Sequence, residues 1–151
     1  SNWDGGVRCW EVQEQGGQIR AAPKAQVTHE NNAPALDSAF SADGSTVFSV
    51  GADKAVRMWR LGESPPNNLA PQIGVHEAPA KAVGFLPASN LVVSGGWDRK
   101  LKFWDTRSPI PAGVLDMPER VYDLDVRGNL MAVATAARHT IPYNVGASQP
   151  Q

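Results

Sequence analysis

Two groups of residues in this chain have the composition of a hydrolytic site: His29, Ser49 and Asp53 with Trp59, then His76, Ser94 and Asp98 with Trp104. A serine activated by a histidine, itself oriented by an aspartate, attacks a carbonyl if the hydroxyl is exposed and an oxyanion hole lies beside it. Here the group occurs twice, in the same order and at nearly the same spacing, and a catalytic centre has no reason to repeat with the fold. The residues read instead as a structural set, a buried hydrogen-bonded chain from Trp to Ser to His to Asp. Such a chain satisfies polar groups that would otherwise cost about 1 to 3 kcal/mol each. No catalytic residue follows from it. His29, His76 and His139 are not spaced as a ligand set, and Cys9 is the one cysteine, so no metal site is predicted. Neither a phosphate-cradling glycine loop nor a dinucleotide fingerprint is present, and no cofactor is expected.

Binding chemistry is better represented. Trp3 and Trp97 each stand seven residues before another tryptophan, just ahead of Asp4 and Asp98. That places them on loops, where an indole can anchor a partner or pack on a neighbouring repeat. The equivalent residue in the middle copy, Ala52, lacks this capacity. Arg99, Lys100, Lys102 and Arg107 put four cations around Phe103 and Trp104, a candidate contact for RNA phosphates or acidic side chains. A solvated strand face accounts for the same pattern.

The elements that must position these residues form a repeat. Asp4 and Trp10, Asp53 and Trp59, and Asp98 and Trp104 are each six residues apart and frame short alternating strands. The tryptophans follow at 49 and 45 residues, and a fainter copy ends at Tyr143, 39 further on. The mean lies near the roughly 40 to 45 residues of a four-stranded β-propeller blade. The fold class is therefore all-β, an incomplete WD-repeat β-propeller with two full four-stranded blades and partial blades at both ends. Third and fourth strands over Val7 to Val12 and Ala25 to Thr28 come first. The first full blade takes Ala35 to Phe40, Thr46 to Val50, Ala55 to Arg60 and Gln72 to Val75, with a tight turn at Ser41 to Gly44. The second takes Lys81 to Leu86, Leu91 to Ser94, Leu101 to Asp105 and a weak edge near Gly113 to Leu115, where Pro109 and Pro111 suit an outer edge. Three more strands follow, Val121 to Val126, Leu130 to Thr135 and Thr140 to Asn144. Residues 1–145 thus read as one partial propeller and 146–151 as a polar C-terminal tail, with Ser64 to Asn68 a surface loop.

Composition narrows the class. With 42% hydrophobic and 19% charged residues the chain has a globular balance, and a net charge of −1 provides no general basic field for nucleic acid. Cys9 cannot form an internal disulfide and reads as a buried thiol. There is no apolar run long enough for a membrane helix, so no membrane insertion is expected.

The strings Val7-Arg8-Cys9-Trp10-Glu11-Val12-Gln13, Leu101-Lys102-Phe103-Trp104-Asp105-Thr106-Arg107 and Met117-Pro118-Glu119-Arg120-Val121-Tyr122 resemble the nuclear-pore-associated messenger-RNA export factors of the WD-repeat class. The sister family, the WD-repeat spindle-checkpoint adaptors, shares the Trp-Asp loop and the Pro-Glu segment, while the first two strings favour the export factors. The resemblance implies a seven-bladed, non-enzymatic scaffold in the nucleus at the nuclear pore and envelope, with a cytoplasmic pool as a further location. It implies binding of a short acidic motif called GLEBS from a nucleoporin, with roles in RNA export and spindle assembly. It also assigns the tryptophan of the Trp-Asp loop to the face that receives the motif, which carries over to Trp3 and Trp97. Lys54, Arg99 and Arg120 are the candidate cations for the motif's glutamates, from their positions near face loops.

Three positions depart from the family pattern. The connection His29 to Pro34 is longer, Arg60 stands where an acid follows the blade tryptophan, and Ala137 replaces the acidic turn residue of the last copy. An open arc also leaves two strand edges unpaired, which predicts either a truncated fragment without activity of its own or chains that associate edge to edge. A checkpoint adaptor and an RNA-binding protein using the basic patch are the other readings left open.

Overall fold

Short alternating apolar and polar segments between turn signals favour antiparallel strands. The computed structural model, which describes residues 1–145, contains thirteen of them in four sheets. β1 (Gly6–Gln15) and β2 (Gln18–Thr28) form a two-stranded ribbon. β3 (Ala35–Phe40), β4 (Thr46–Gly51), β5 (Ala55–Arg60) and β6 (Gln72–Val75) make a four-stranded sheet in chain order. β7 (Ala80–Leu86), β8 (Leu91–Gly96), β9 (Lys100–Trp104) and β10 (Pro111–Asp116) repeat it. β11 (Val121–Arg127), β12 (Leu130–Thr135) and β13 (Thr140–Asn144) form a three-stranded sheet. These are two complete blades flanked by two partial ones. The polar tail assigned to 146–151 lies outside the described residues.

The blades share one detailed plan. In each of the three sheets with a first strand, the register slips at the same place, between Ala35 and Asp37, Ala80 and Ala82, and Val121 and Asp123. A bulge there bends the innermost strand and increases its twist. The core is divided among the junctions between blades rather than gathered in one centre. One cluster joins the ribbon to the first full blade through Val7, Val27, Val47 and Trp59. The next joins the two full blades through Phe48, Val83, Val92 and Trp104. There Phe48 and Phe85 stack with centroids 5.6 Å apart. The third seats the last sheet through Leu101, Val121, Leu124 and Val133. Each fully buried side chain of this kind contributes about 1.5 to 3 kcal/mol, so a blade is held mainly by its neighbours.

Three strands run well beyond the sequence reading, the first being β1, which covers Gly6–Gln15 rather than Val7 to Val12. β2 covers eleven residues rather than Ala25 to Thr28, because Gly16 and Gly17, at φ 61° and 74°, make the tight turn that lets β1 and β2 pair far beyond the blade. β10 covers six residues, with Pro111 at its start. Cys9 is half-buried rather than fully buried, because it lies near the rim of the first cluster. At the tight turn of the first full blade, Asp43 accepts from Ser41 Oγ at 2.6 Å and Ser45 N at 3.0 Å, which holds its carboxyl at about 2.

Candidate functional site

Topology collects the singled-out residues at one end of the sheets. In a four-stranded antiparallel blade, the turn between second and third strands lies at the same end as the connection from the fourth strand to the next blade. Four equivalent turns occur there, Asn2 to Gly5, Gly51 to Lys54, Gly96 to Arg99 and Thr135 to Arg138, each closed by its last N–H on its first carbonyl. They are stitched to the connections by further backbone bonds. Trp97 N donates to Pro79 O at 2.9 Å, Ala136 N to Arg120 O at 3.0 Å, and Met117 N to Arg99 O at 2.8 Å.

The second position of these turns reads Trp3, Ala52, Trp97 and Ala136. Trp3 is 80% exposed and Trp97 39% exposed, so both present indole surface on this face. The last position reads Gly5, Lys54, Arg99 and Arg138, with φ of 79°, 67°, 61° and 64°. Glycine adopts that backbone freely, whereas a residue with a Cβ is strained by roughly 1 kcal/mol or more. Three cations therefore occupy a position where local energetics favours glycine. Arg138 was not singled out from the sequence; the signal was its place one residue after Ala137, where Lys54 and Arg99 follow Asp53 and Asp98. The side chains of Lys54, Arg99, Arg120 and Arg138 form no hydrogen bond or ion pair among the described residues. Glu30, Glu77 and Glu119 lie in the connections between sheets, and Glu30 is 3.6 Å from Arg57 Nη2, so acidic side chains accompany the cations in these segments.

The basic patch is distributed differently. Lys100 Nζ pairs with Asp116 at 2.7 Å, Arg107 forks onto Asp105 at 2.6 and 2.9 Å, and Lys102 Nζ donates to the Val75 carbonyl at 2.9 Å. Of the four, Arg99 is the one whose side chain forms no hydrogen bond or ion pair among the described residues, and it belongs to the turn face.

Beneath the turns lies the Ser, His and Asp set. In the second full blade Trp104 Nε1 donates to Ser94 Oγ at 2.8 Å, Ser94 Oγ is 2.7 Å from His76 Nε2, and His76 Nδ1 is 2.9 Å from Asp98. Asp98 also accepts from the backbone of Glu77 and Lys100. Burial pushes His76 below its ordinary value, with Asp98 opposing, so it is the neutral imidazole that this chain accommodates. Ser94 is wholly buried, which removes any nucleophilic use. In the first full blade His29 bridges Ser49 and Asp53, both at 2.9 Å, but Trp59 Nε1 turns away and donates to the Glu63 carbonyl at 3.1 Å. The four-membered chain expected there stops at Ser49. The two blades differ two residues before each histidine: Gly74 leaves room for Trp104, while Val27 is buried in the same cluster as Trp59. Asp53 instead gains buried Arg57, at 3.0 Å. Burial would raise its carboxyl, but the bonds from His29 and Arg57 prevail and hold it below the ordinary value.

In the last sheet the whole polar set is exchanged for an apolar one. Met117, Val133, Ala137 and Tyr143 occupy the four places, with Tyr143 Oη donating to Met117 Sδ at 3.6 Å. Changing all members together leaves no orphan: among the described residues no buried side-chain nitrogen or oxygen lacks a partner. The same logic explains Gly51 and Gly96, where a Cβ would stand 2.7 and 2.5 Å from the histidine Nδ1; the matching residue beside Met117 is Thr135.

Comparison with known proteins agrees with this architecture. The family model described as WD domain, G-beta repeat matches residues 24–60 and 71–105. The chain is 38% identical over 146 residues to Protein Rae1 of Drosophila melanogaster, covering 95% of this chain and 40% of that protein. It is 38% identical over 147 residues to mRNA export factor GLE2 of Chaetomium thermophilum, covering 96% and 39%. To the mRNA export factor of Bos taurus it is 47% identical over 146 residues, covering 95% and 37%. The chain thus spans about 40% of the length of these curated relatives. It carries WD40 repeats in an incomplete β-propeller, and over most of its length it is homologous to a segment of the messenger-RNA export factors.

Proposed function

We propose that this chain is part of a non-enzymatic, protein-binding scaffold serving messenger-RNA export in the nucleus at the nuclear pore, and that its turn face receives a short acidic nucleoporin motif of the GLEBS type. The observation that carries the reading is the turn face itself. Exposed indoles of Trp3 and Trp97 alternate there with Ala52 and Ala136, beside four cations whose side chains form no hydrogen bond or ion pair among the described residues. Indoles supply anchoring area and the turn-tip cations select carboxylates. The names of the relatives support the export role, and the burial of Ser94 supports a structural duty for the Ser, His and Asp set.

The test is thermal unfolding followed by tryptophan fluorescence, with and without a synthetic GLEBS-type peptide, because a ligand of the folded state raises the midpoint. The expected result is a rise with peptide that Trp97→Ala abolishes while the midpoint without peptide stays in place. A midpoint indifferent to peptide would sink the proposal. A larger rise with the corresponding checkpoint-kinase motif would transfer the face to the checkpoint-adaptor reading.

A further inference from the structure

The outer rim contains a groove of about 440 Å³ between the two full blades. One wall is the whole of β6, Gln72 to Val75; the other includes Lys102, Arg107, Ser108 and Pro111. The equivalent place one junction earlier is closed by the chain itself. There Ala70 N donates to Thr28 O at 3.2 Å, Leu69 forms a parallel bridge with Thr28, and Thr28 Oγ1 donates to Asn68 O at 3.3 Å. Arg57 Nη1 holds the plug from the other side, on Ala70 O at 2.8 Å.

Both junctions use corresponding residues. Thr28 and Val75 each precede the blade histidine, and Ala70 and Pro111 each lie six residues before His76 and Met117. Arg57 and Lys102 match as well, each four residues after its turn aspartate. Pro111 has no N–H, so it cannot donate to Val75 O as Ala70 does to Thr28 O. Lys102 Nζ takes that carbonyl instead, at 2.9 Å, and Ile110, matching Leu69, is left 69% exposed.

We infer that this rim groove is a docking slot for an acidic peptide segment of a partner protein, which takes the place that Leu69 and Ala70 fill at the neighbouring junction, where the chain leaves a 3-10 turn over Pro66–Asn68 and is extended at Leu69, at φ −82° and ψ 115°. An incoming backbone N–H replaces Lys102 Nζ on the Val75 carbonyl, as in strand addition to a sheet edge. The released ammonium then pairs with the peptide's carboxylate, and Ile110 covers an apolar side chain. The occupant's geometry is supplied by the chain's own plug, and its charge by Lys102. The slot is separate from the turn face and does not depend on the function proposed for it.

The test uses the 151-residue chain and a synthetic peptide copying Asn67 to Ala70 with a glutamate at each end, followed by ¹⁵N–¹H spectra. Saturable shifts are expected at the amides of Gln72 to Val75 and at Lys102. Pro111→Ala restores the N–H and lets the chain plug its own groove, so affinity should fall about tenfold or more. Lys102→Gln should remove the preference for this peptide over a version with glutamines at both ends. An unchanged Trp104 indole resonance in both variants verifies the groove wall. Absent shifts along β6, or a titration unaltered by Pro111→Ala, would overturn the proposal and leave Lys102 as a cap on an exposed strand edge.

Discussion

The indole of Trp104 lies on Gly74 of the preceding blade so closely that a Cβ at Gly74 would stand 2.5 Å from the ring. At the matching position before Trp59 stands Val27, buried in the same cluster, and Trp59 bonds to Glu63 rather than Ser49, so the expectation is that the residue at this place directs the indole N–H. Gly74→Val should therefore turn Trp104 away from Ser94 and destabilise the chain by about 1 to 3 kcal/mol through overpacking. Urea unfolding together with the Trp104 indole resonance measures both effects. A stable variant with an unmoved resonance would show that Gly74 does not direct the ring.

Ser94 and Ser49 look alike in sequence but differ in load. Ser94→Ala deprives both Trp104 and His76 of a buried partner, whereas Ser49→Ala deprives His29 alone. The expected loss is about 1 to 3 kcal/mol for each buried group left unpaired, so the Ser94 variant should be the less stable. Denaturant midpoints of the two variants compare them directly, and equal losses would mean that the Trp104 bond adds nothing.

Stability should fall with acid before the carboxylates titrate. His76 is lowered from its ordinary 6.5 by burial, so the folded state binds its proton more weakly than the unfolded state does. The stabilisation is complete above about 6.5 and is lost as pH falls from there through the lower folded value. Thermal midpoints between pH 7.5 and 5, roughly the range in which histidines titrate, should show this slope, and His76→Gln should flatten it. An identical slope in the variant would assign the acid sensitivity elsewhere.

Arg99→Gly separates stability from binding on the turn face. Relief of the strain at φ 61° should stabilise the chain by up to about 1 kcal/mol, offset by glycine's greater freedom when unfolded. Binding of the GLEBS-type peptide should weaken at the same time. Calorimetric titration beside thermal unfolding reads both, and undiminished affinity would remove Arg99 from the binding set.

The apolar set of the last sheet should resist piecemeal reversal. Val133→Ser places a hydroxyl at a fully buried position facing Met117 and Tyr143 instead of a histidine and a tryptophan. A destabilisation of about 1 to 3 kcal/mol is expected in urea, compounded by the lost methyl groups. A neutral outcome would mean that the site admits a partner for the serine.

Much of this molecule was written in local pattern. Alternation and turn residues are properties of a few neighbours, so the thirteen strands, their division into blades and the placing of Trp3, Trp97 and Arg99 on turns followed from spacing alone. The histidine bridges of His29 and His76 were legible for the same reason, since the period brings them back at matching places. What spacing could not convey depends on residues far apart in the chain meeting across a junction. Trp59 and Trp104 have the same local signature, and what differs is Val27 or Gly74 on another strand. The basic patch looked continuous in sequence, yet Lys100, Lys102 and Arg107 are engaged by Asp116, Val75 and Asp105, leaving Arg99 to the turn face. Pro111 read as an edge residue, but that it opens a groove shows only beside Ala70, which closes the matching one. Hydrogen bonds and packing are satisfied in three dimensions, so identical local motifs acquire different partners wherever the neighbouring blade differs by a single side chain.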